Sequence, residues 1–188
     1  MDRPIRIVPP ADMPVSLDEA KAAVRVDGDV ENAFLEHLIA SAVDHLDGRA
    51  GLLGRCMVTQ TWRYRTNRLS RETLLDMPDG VGAVIRYRTT GGGEETVPDD
   101  HLHLVEGVKG VIVFYTGPGF VTAGAIDAIS LDVTFGWEPA QVPVSLKRAI
   151  LMLVAHWFTN REAIGDGRLA RIPYGVDDLI ASYRWLRI

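Results

Sequence analysis

The hydrophobic period of this chain changes twice along its length, and few folds can accommodate that. Before residue 56 the apolar positions Phe34, Leu35, Leu38, Ile39, Ala42, Val43 and Leu46 form a wide stripe at helical spacing. From Cys56 the period drops to two. Val58 to Tyr64 alternates and is rich in β-branched and aromatic residues, as a strand requires. Val84–Arg88, Leu102–Val105, Val111–Tyr115 and Ile129–Phe135 read the same way, separated by Gly, Pro and Asp. Helical spacing then returns, from Leu146 to about Ala163 and again through Val176, Leu179, Ile180 and Tyr183.

Helices flanking a block of strands predict an α+β chain. Residues 16–55 and 138–188 are expected to form one helical bundle, with a mostly antiparallel β module of five to seven strands, residues 56–137, inserted into it. Prolines at 4, 9, 10 and 14 predict an extended arm over residues 1–15. Ser16-Leu17-Asp18-Glu19 is a capping box opening a short helix that ends near Asp27-Gly28-Asp29. Asp29 is placed to cap the second helix, and Gly48 or Gly51 to stop it. Pro143-Val144-Ser145-Leu146 repeats Pro14-Val15-Ser16-Leu17, which predicts the same capping chemistry at a later helix start.

Several function classes recede on composition. A formal charge of −5 argues against a free-standing nucleic-acid binder with a basic stripe, while allowing a protein that surrounds DNA without gripping it. The single Cys56 cannot form an intrachain disulfide. The longest strongly apolar run, Ala149 to Phe158, is broken by His156 and too short to cross a bilayer. The N-terminus lacks the apolar core of a signal peptide, so a cytoplasm-like compartment and no membrane partner are expected.

No set of residues assembles a nucleophile, a base and an orienting group, so no catalytic, cofactor or metal residues are assigned and no enzyme is expected. His156 has no second histidine one turn away, which removes the zinc-protease helix pattern. His156, Trp157, Asn160, Arg161 and Glu162 are read as belonging to a core or subunit-interface helix, with Arg161 suited to the negative end of the helix dipole. His101 and His103, on one face of an expected strand, are two ligands where zinc needs three or four; a small metal-dependent hydrolase built on them is the alternative reading. Gly91-Gly92-Gly93 and Gly117-Pro118-Gly119 lack the lysine and helix start of a phosphate loop. The tail Tyr183, Arg184, Trp185, Leu186, Arg187 and Ile188 interleaves aromatic and aliphatic residues with arginine, the composition of protein–protein hot spots.

Pro14-Val15-Ser16-Leu17-Asp18-Glu19-Ala20-Lys21, Gln60-Thr61-Trp62, Val142-Pro143 with Lys147-Arg148-Ala149-Ile150, His156-Trp157-Phe158-Thr159-Asn160-Arg161-Glu162 and Pro173-Tyr174-Gly175-Val176 together resemble the head–tail connector (adaptor) proteins of long-tailed phages and phage-like gene transfer agents. The resemblance runs in order along nearly the whole chain. Phe158 stands where tyrosine is more usual, and the proline-rich arm is not part of the pattern. The resemblance implies a ring of twelve subunits beneath the portal protein, at the neck of a virion or phage-like particle assembled in the bacterial cytoplasm. It implies a surface for a stopper or tail-terminator protein, and DNA passing through the channel without sequence-specific binding. It also implies that the C-terminal helix and tail, Gly175 to Ile188, engage the portal. An adaptor of some unrelated complex, using the same tail, is a further alternative.

Overall fold

The structure is a computed structural model, and it describes residues 3–120, 127–161 and 174–186. It is α+β, as the double change of period predicts, and divides into two compact units. One comprises Met1–Ala11, Val58–Trp137 and Leu186–Ile188; the other comprises Asp12–Met57 and Glu138–Trp185.

The first unit is built on two antiparallel sheets. A five-stranded sheet has the order β1-β2-β8-β4-β5, with β1 at Ile5–Val8, β2 at Gln60–Thr66, β4 at Gly80–Arg88, β5 at Glu94–Thr96 and β8 at Ile129–Phe135. A three-stranded sheet joins β3 (Glu72–Leu74), β7 (Gly110–Tyr115) and β6 (Leu102–Gly107) in that order. β8 is central because both its edges are used: Trp62 of β2 and Ala83 of β4 each pair with Val133. Its alternation sends Ile129, Leu131, Val133 and Phe135 to one face, where all are essentially inaccessible. Burying each such side chain stabilises the fold by about 1.5–3 kcal/mol.

The segment expected as an extended arm is extended but not free. Ile5 and Arg6 pair with Arg63 and Trp62, so β1 adds an edge strand to the sheet. Pro4, Pro9 and Pro10 bracket it, and the register shifts between Arg6 and Val8. Proline rules out a helix here, yet it is compatible with the edge of a sheet.

The second unit is helical, with α1 at Leu17–Val24, α2 at Asn32–Leu46, α3 at Val144–Thr159 and α4 at Tyr174–Ala181. Ser16 caps α1 as predicted: its Oγ accepts from Glu19 N at 3.2 Å, and the Glu19 carboxylate accepts from Ser16 N at 2.7 Å. Two capping expectations are corrected. The cap of α2 is Glu31, without a side-chain bond, because the Asp29 carboxylate is taken by Lys21 Nζ and Asn32 Nδ2, both at 3.1 Å. Nor does Ser145 of the second Pro-Val-Ser-Leu phrase cap α3 as Ser16 caps α1: Pro143 is the cap residue, without a side-chain bond, and Ser145 Oγ lies 3.4 Å from Tyr183 Oη. α3 buries Leu146, Ala149, Ile150, Leu153 and Val154, and it closes at Thr159 rather than near Ala163. α4 contributes Val176 and Ile180, both fully buried.

Candidate functional site

The polar end of α3 is an internal clamp. Beyond Thr159 the chain leaves the helix, and Asn160 turns back so that its Nδ2 donates to His156 O at 2.8 Å and lies 3.3 Å from His156 Nδ1. The other ring nitrogen, His156 Nε2, is buried and without a hydrogen-bond partner among the described residues. Arg161 follows, its guanidinium 4.4 Å from the Phe158 ring centroid and 4.7 Å from that of Phe34. The same side chain reaches Glu31 at 3.1 Å. The planar cation thus ties the end of α3 to the start of α2, a role the dipole argument did not foresee. Trp157 points elsewhere on the same helix, edge-on to His45 with ring centroids 6.2 Å apart. Glu162 lies outside the described residues.

The start of the C-terminal tail is latched. Trp185 N donates to Leu53 O at 2.7 Å, Arg184 Nε to Leu52 O at 3.2 Å, and Arg55 Nη1 to Tyr183 O at 3.3 Å. Gly54 makes room for the latch: with φ of +65°, a Cβ there would lie 2.6 Å from Trp185 O. Tyr183 and Trp185 are half-buried, whereas Leu186 is 73% exposed. Arg187 and Ile188 lie outside the described residues.

His101 and His103 are not displayed together on one strand. His101 ends a short 3-10 turn, Asp99–His101, its ring edge-on to Tyr115, and only His103 lies on β6. Glu106, three residues beyond His103 on β6, accepts a hydrogen bond from Asp79 N at 2.8 Å. Among the described residues no group of three or more His, Cys, Asp or Glu could hold a metal ion.

One cluster escaped the sequence reading. Asp132, on the face of β8 opposite the core, accepts from Arg63 Nε and Nη2 at 2.7 Å each and also pairs with Arg86. Its side chain is 5% exposed, while the two arginines remain about one-third exposed. The bidentate bond raises the Arg63 pKa still further above neutrality. Asp132 could have been suspected as the lone charged residue of a strand, Ile129–Phe135, whose alternate positions are apolar. Beside the cluster, on the same sheet face, Thr61 Oγ1 and Thr134 Oγ1 bond each other at 2.9 Å. Thr61, Arg86, Asp132 and Thr134 line a groove of about 590 Å³ whose sides include Ile7, Val8, Val84, Leu102 and Leu104.

Residues 123–184 match the sequence model of the phage gp6-like head–tail connector proteins. A chain in the neck of an empty gene transfer agent particle, computed with sixfold symmetry, superposes with a TM-score of 0.75 at 18% identity, covering 100% of this chain and 97% of that one. A chain in the virion of a native gene transfer agent particle gives 0.72, and one in a native neck computed with twelvefold symmetry gives 0.65, each with the same identity and coverage. No curated protein sequence matches. The resemblance drawn from the scattered sequence motifs is borne out, and the fold is that of the gene transfer agent neck chain.

Proposed function

We propose that this chain, which shares the connector sequence pattern over residues 123–184 and the neck-protein fold along its whole length, is a structural adaptor joining a DNA-filled head to a tail. The observation that carries the reading is the full-length fold match to a chain in a particle neck, with both chains covered almost completely. Copies assemble as a ring, twelve in number, beneath a portal protein and extend the DNA channel toward a stopper or tail-terminator protein. The role is mechanical and not enzymatic. It operates at the neck of a virion or phage-like particle assembled in the bacterial cytoplasm.

The tail is the portal-facing element in this reading. The latch on Leu52 and Leu53 fixes where Tyr183, Arg184 and Trp185 lie, and Leu186 after it is exposed. Imaging particles from the cell that encodes this chain tests the function: a ring of this chain against the portal is expected, and its absence from the neck overturns the reading. Truncation after Trp185 tests the tail. It keeps the latch and is expected to weaken portal binding while leaving the melting temperature unchanged; undiminished binding removes Leu186, Arg187 and Ile188 from the contact.

A further inference from the structure

One end of the β unit holds a pocket with an apolar floor and a cationic rim. The connection from β2 to β3 and the turn after β7 meet there, around a cavity of about 350 Å³. Leu69, Ile129 and the rings of Tyr115 and Phe120, stacked 4.7 Å apart, make the floor. Tyr115 Oη donates to Pro118 O at 2.6 Å, and the chain passes close because residue 117 is glycine; a Cβ on it would lie 2.5 Å from Tyr115 Oη. Arg68 and Arg71 make the rim, and no carboxylate lines the cavity. Their backbones are held: Thr66 Oγ1 donates to Arg68 O at 2.7 Å, and Tyr115 N to Arg71 O at 2.8 Å. Neither guanidinium has an ion pair among the described residues. The carboxylates around the pocket face other groups. Glu95 accepts from Tyr87 Oη, and Asp127 lines a separate hollow with Arg63, Arg65, Arg86 and Arg88. Glu72 pairs with Phe114, on the sheet face opposite Tyr115. The Arg71 charge is felt at the Tyr115 hydroxyl, where it opposes the burial that raises the phenol pKa.

Two unpaired guanidinium groups over an apolar floor select a ligand that is anionic at one end and apolar at the other. We propose that this pocket binds a short acidic peptide segment of a partner protein, an Asp or Glu carboxylate bridging Arg68 and Arg71 while the adjoining aliphatic side chain rests against Leu69 and the Phe120 ring. This chemistry does not depend on the neck assignment. A nucleotide fits less well. Stacking a base needs an open ring face, yet Tyr115 is 7% exposed, and Phe120, already stacked on Tyr115, is T-shaped to Tyr87 at 5.1 Å. The formal charge of −5 also repels a long polyanion more than a single carboxylate.

Amide NMR of the full chain, titrated with acetyl-Leu-Glu amide, reads the site at Gly117 and Gly119. Saturable shifts are expected there, with a dissociation constant of about 1 mM for so small a ligand. Acetyl-Leu-Gln amide is expected to bind at least about tenfold more weakly, because it lacks the charge that strengthens hydrogen bonds to arginine. The double variant Arg68→Ala with Arg71→Ala, which changes two exposed side chains, is expected to show the same loss for the glutamate peptide. Gly119→Trp closes the pocket by shape: a Cβ on Gly119 meets nothing within 4 Å, so the indole fills the cavity and removes binding. The comparison of glutamate with glutamine peptide uses the wild-type chain and decides the matter should a variant fail to fold. No saturable shift up to about 10 mM, equal binding of the glutamine peptide, or an unchanged constant in the double variant overturns the proposal. So does tighter binding of thymidine 5′-monophosphate, which gives the pocket to nucleotides.

Discussion

Asp132 on β8 and Arg63 on β2 face each other in register and share two hydrogen bonds of 2.7 Å, on the sheet face away from the core. Replacing Asp132 by alanine leaves Arg63 and Arg86 crowded without their common anion. Loss of a fully buried pair costs about 3–5 kcal/mol, and the partial exposure of both arginines reduces this to about 2 kcal/mol. Urea unfolding measures it. A loss under 0.5 kcal/mol, a limit set by ordinary surface substitutions, shows that the cluster is only a surface ion pair.

Arg161 tests whether the end of α3 is fastened by charge or by shape. Alanine there removes the stacking on Phe34 and Phe158 as well as the Glu31 pair, for an expected loss of about 1–2 kcal/mol. Lysine keeps the charge but not the planar stack. Arg161→Lys is therefore expected to resemble alanine more than the wild type in thermal melts, and full rescue by lysine contradicts the clamp.

Gly54→Ala attacks the tail latch through the backbone. The positive φ costs an alanine about 1 kcal/mol, and its Cβ meets the Trp185 carbonyl at 2.6 Å. Hydrogen exchange at the Trp185 amide, which donates to Leu53 O, is expected to accelerate while exchange within α3 stays slow. Unchanged protection at Trp185 means the latch tolerates the methyl group.

Two phenols set an alkaline limit. The Tyr87 pKa is raised chiefly because its hydroxyl donates to Glu95, and that of Tyr115 because burial disfavours the phenolate. With folded pKa values above the unfolded one, both contributions are complete at neutral pH. As pH climbs past the ordinary phenol range the unfolded chain loses its protons first, and stability falls. Denaturant midpoints measured at rising pH should decline less steeply in Tyr87→Phe and Tyr115→Phe. An identical slope in both variants assigns the alkaline loss to other groups.

The sequence made the large elements legible where a single face decides them. Leu35 to Leu46 and Ile150 to Val154 fall on buried helical stripes, and β8 shows strict alternation because only one of its faces enters the core. β3 and β5 were invisible, being three residues long and largely exposed, with nothing to alternate. β1 was hidden by its prolines, since the reason it is a strand lies in the free edge of β2, over fifty residues away in sequence. The candidate surfaces were less legible still. Arg161 stood out as a charge at a helix end, but no local pattern joins it to Phe34, and none joins Asp132 to Arg63 and Arg86.

The sheet order also fixes a schedule. β8, which joins β2 to β4, is the last of the described strands to be synthesised, so during translation both flanking strands wait for a partner that arrives about forty to seventy-five residues later. Unpaired strands of this kind invite association between nascent chains. Alternate positions of the two waiting strands carry Arg63 and Arg65, then Arg86 and Arg88. Charges so placed act as gatekeepers, keeping each strand in solution until β8 brings Asp132 to bind two of them.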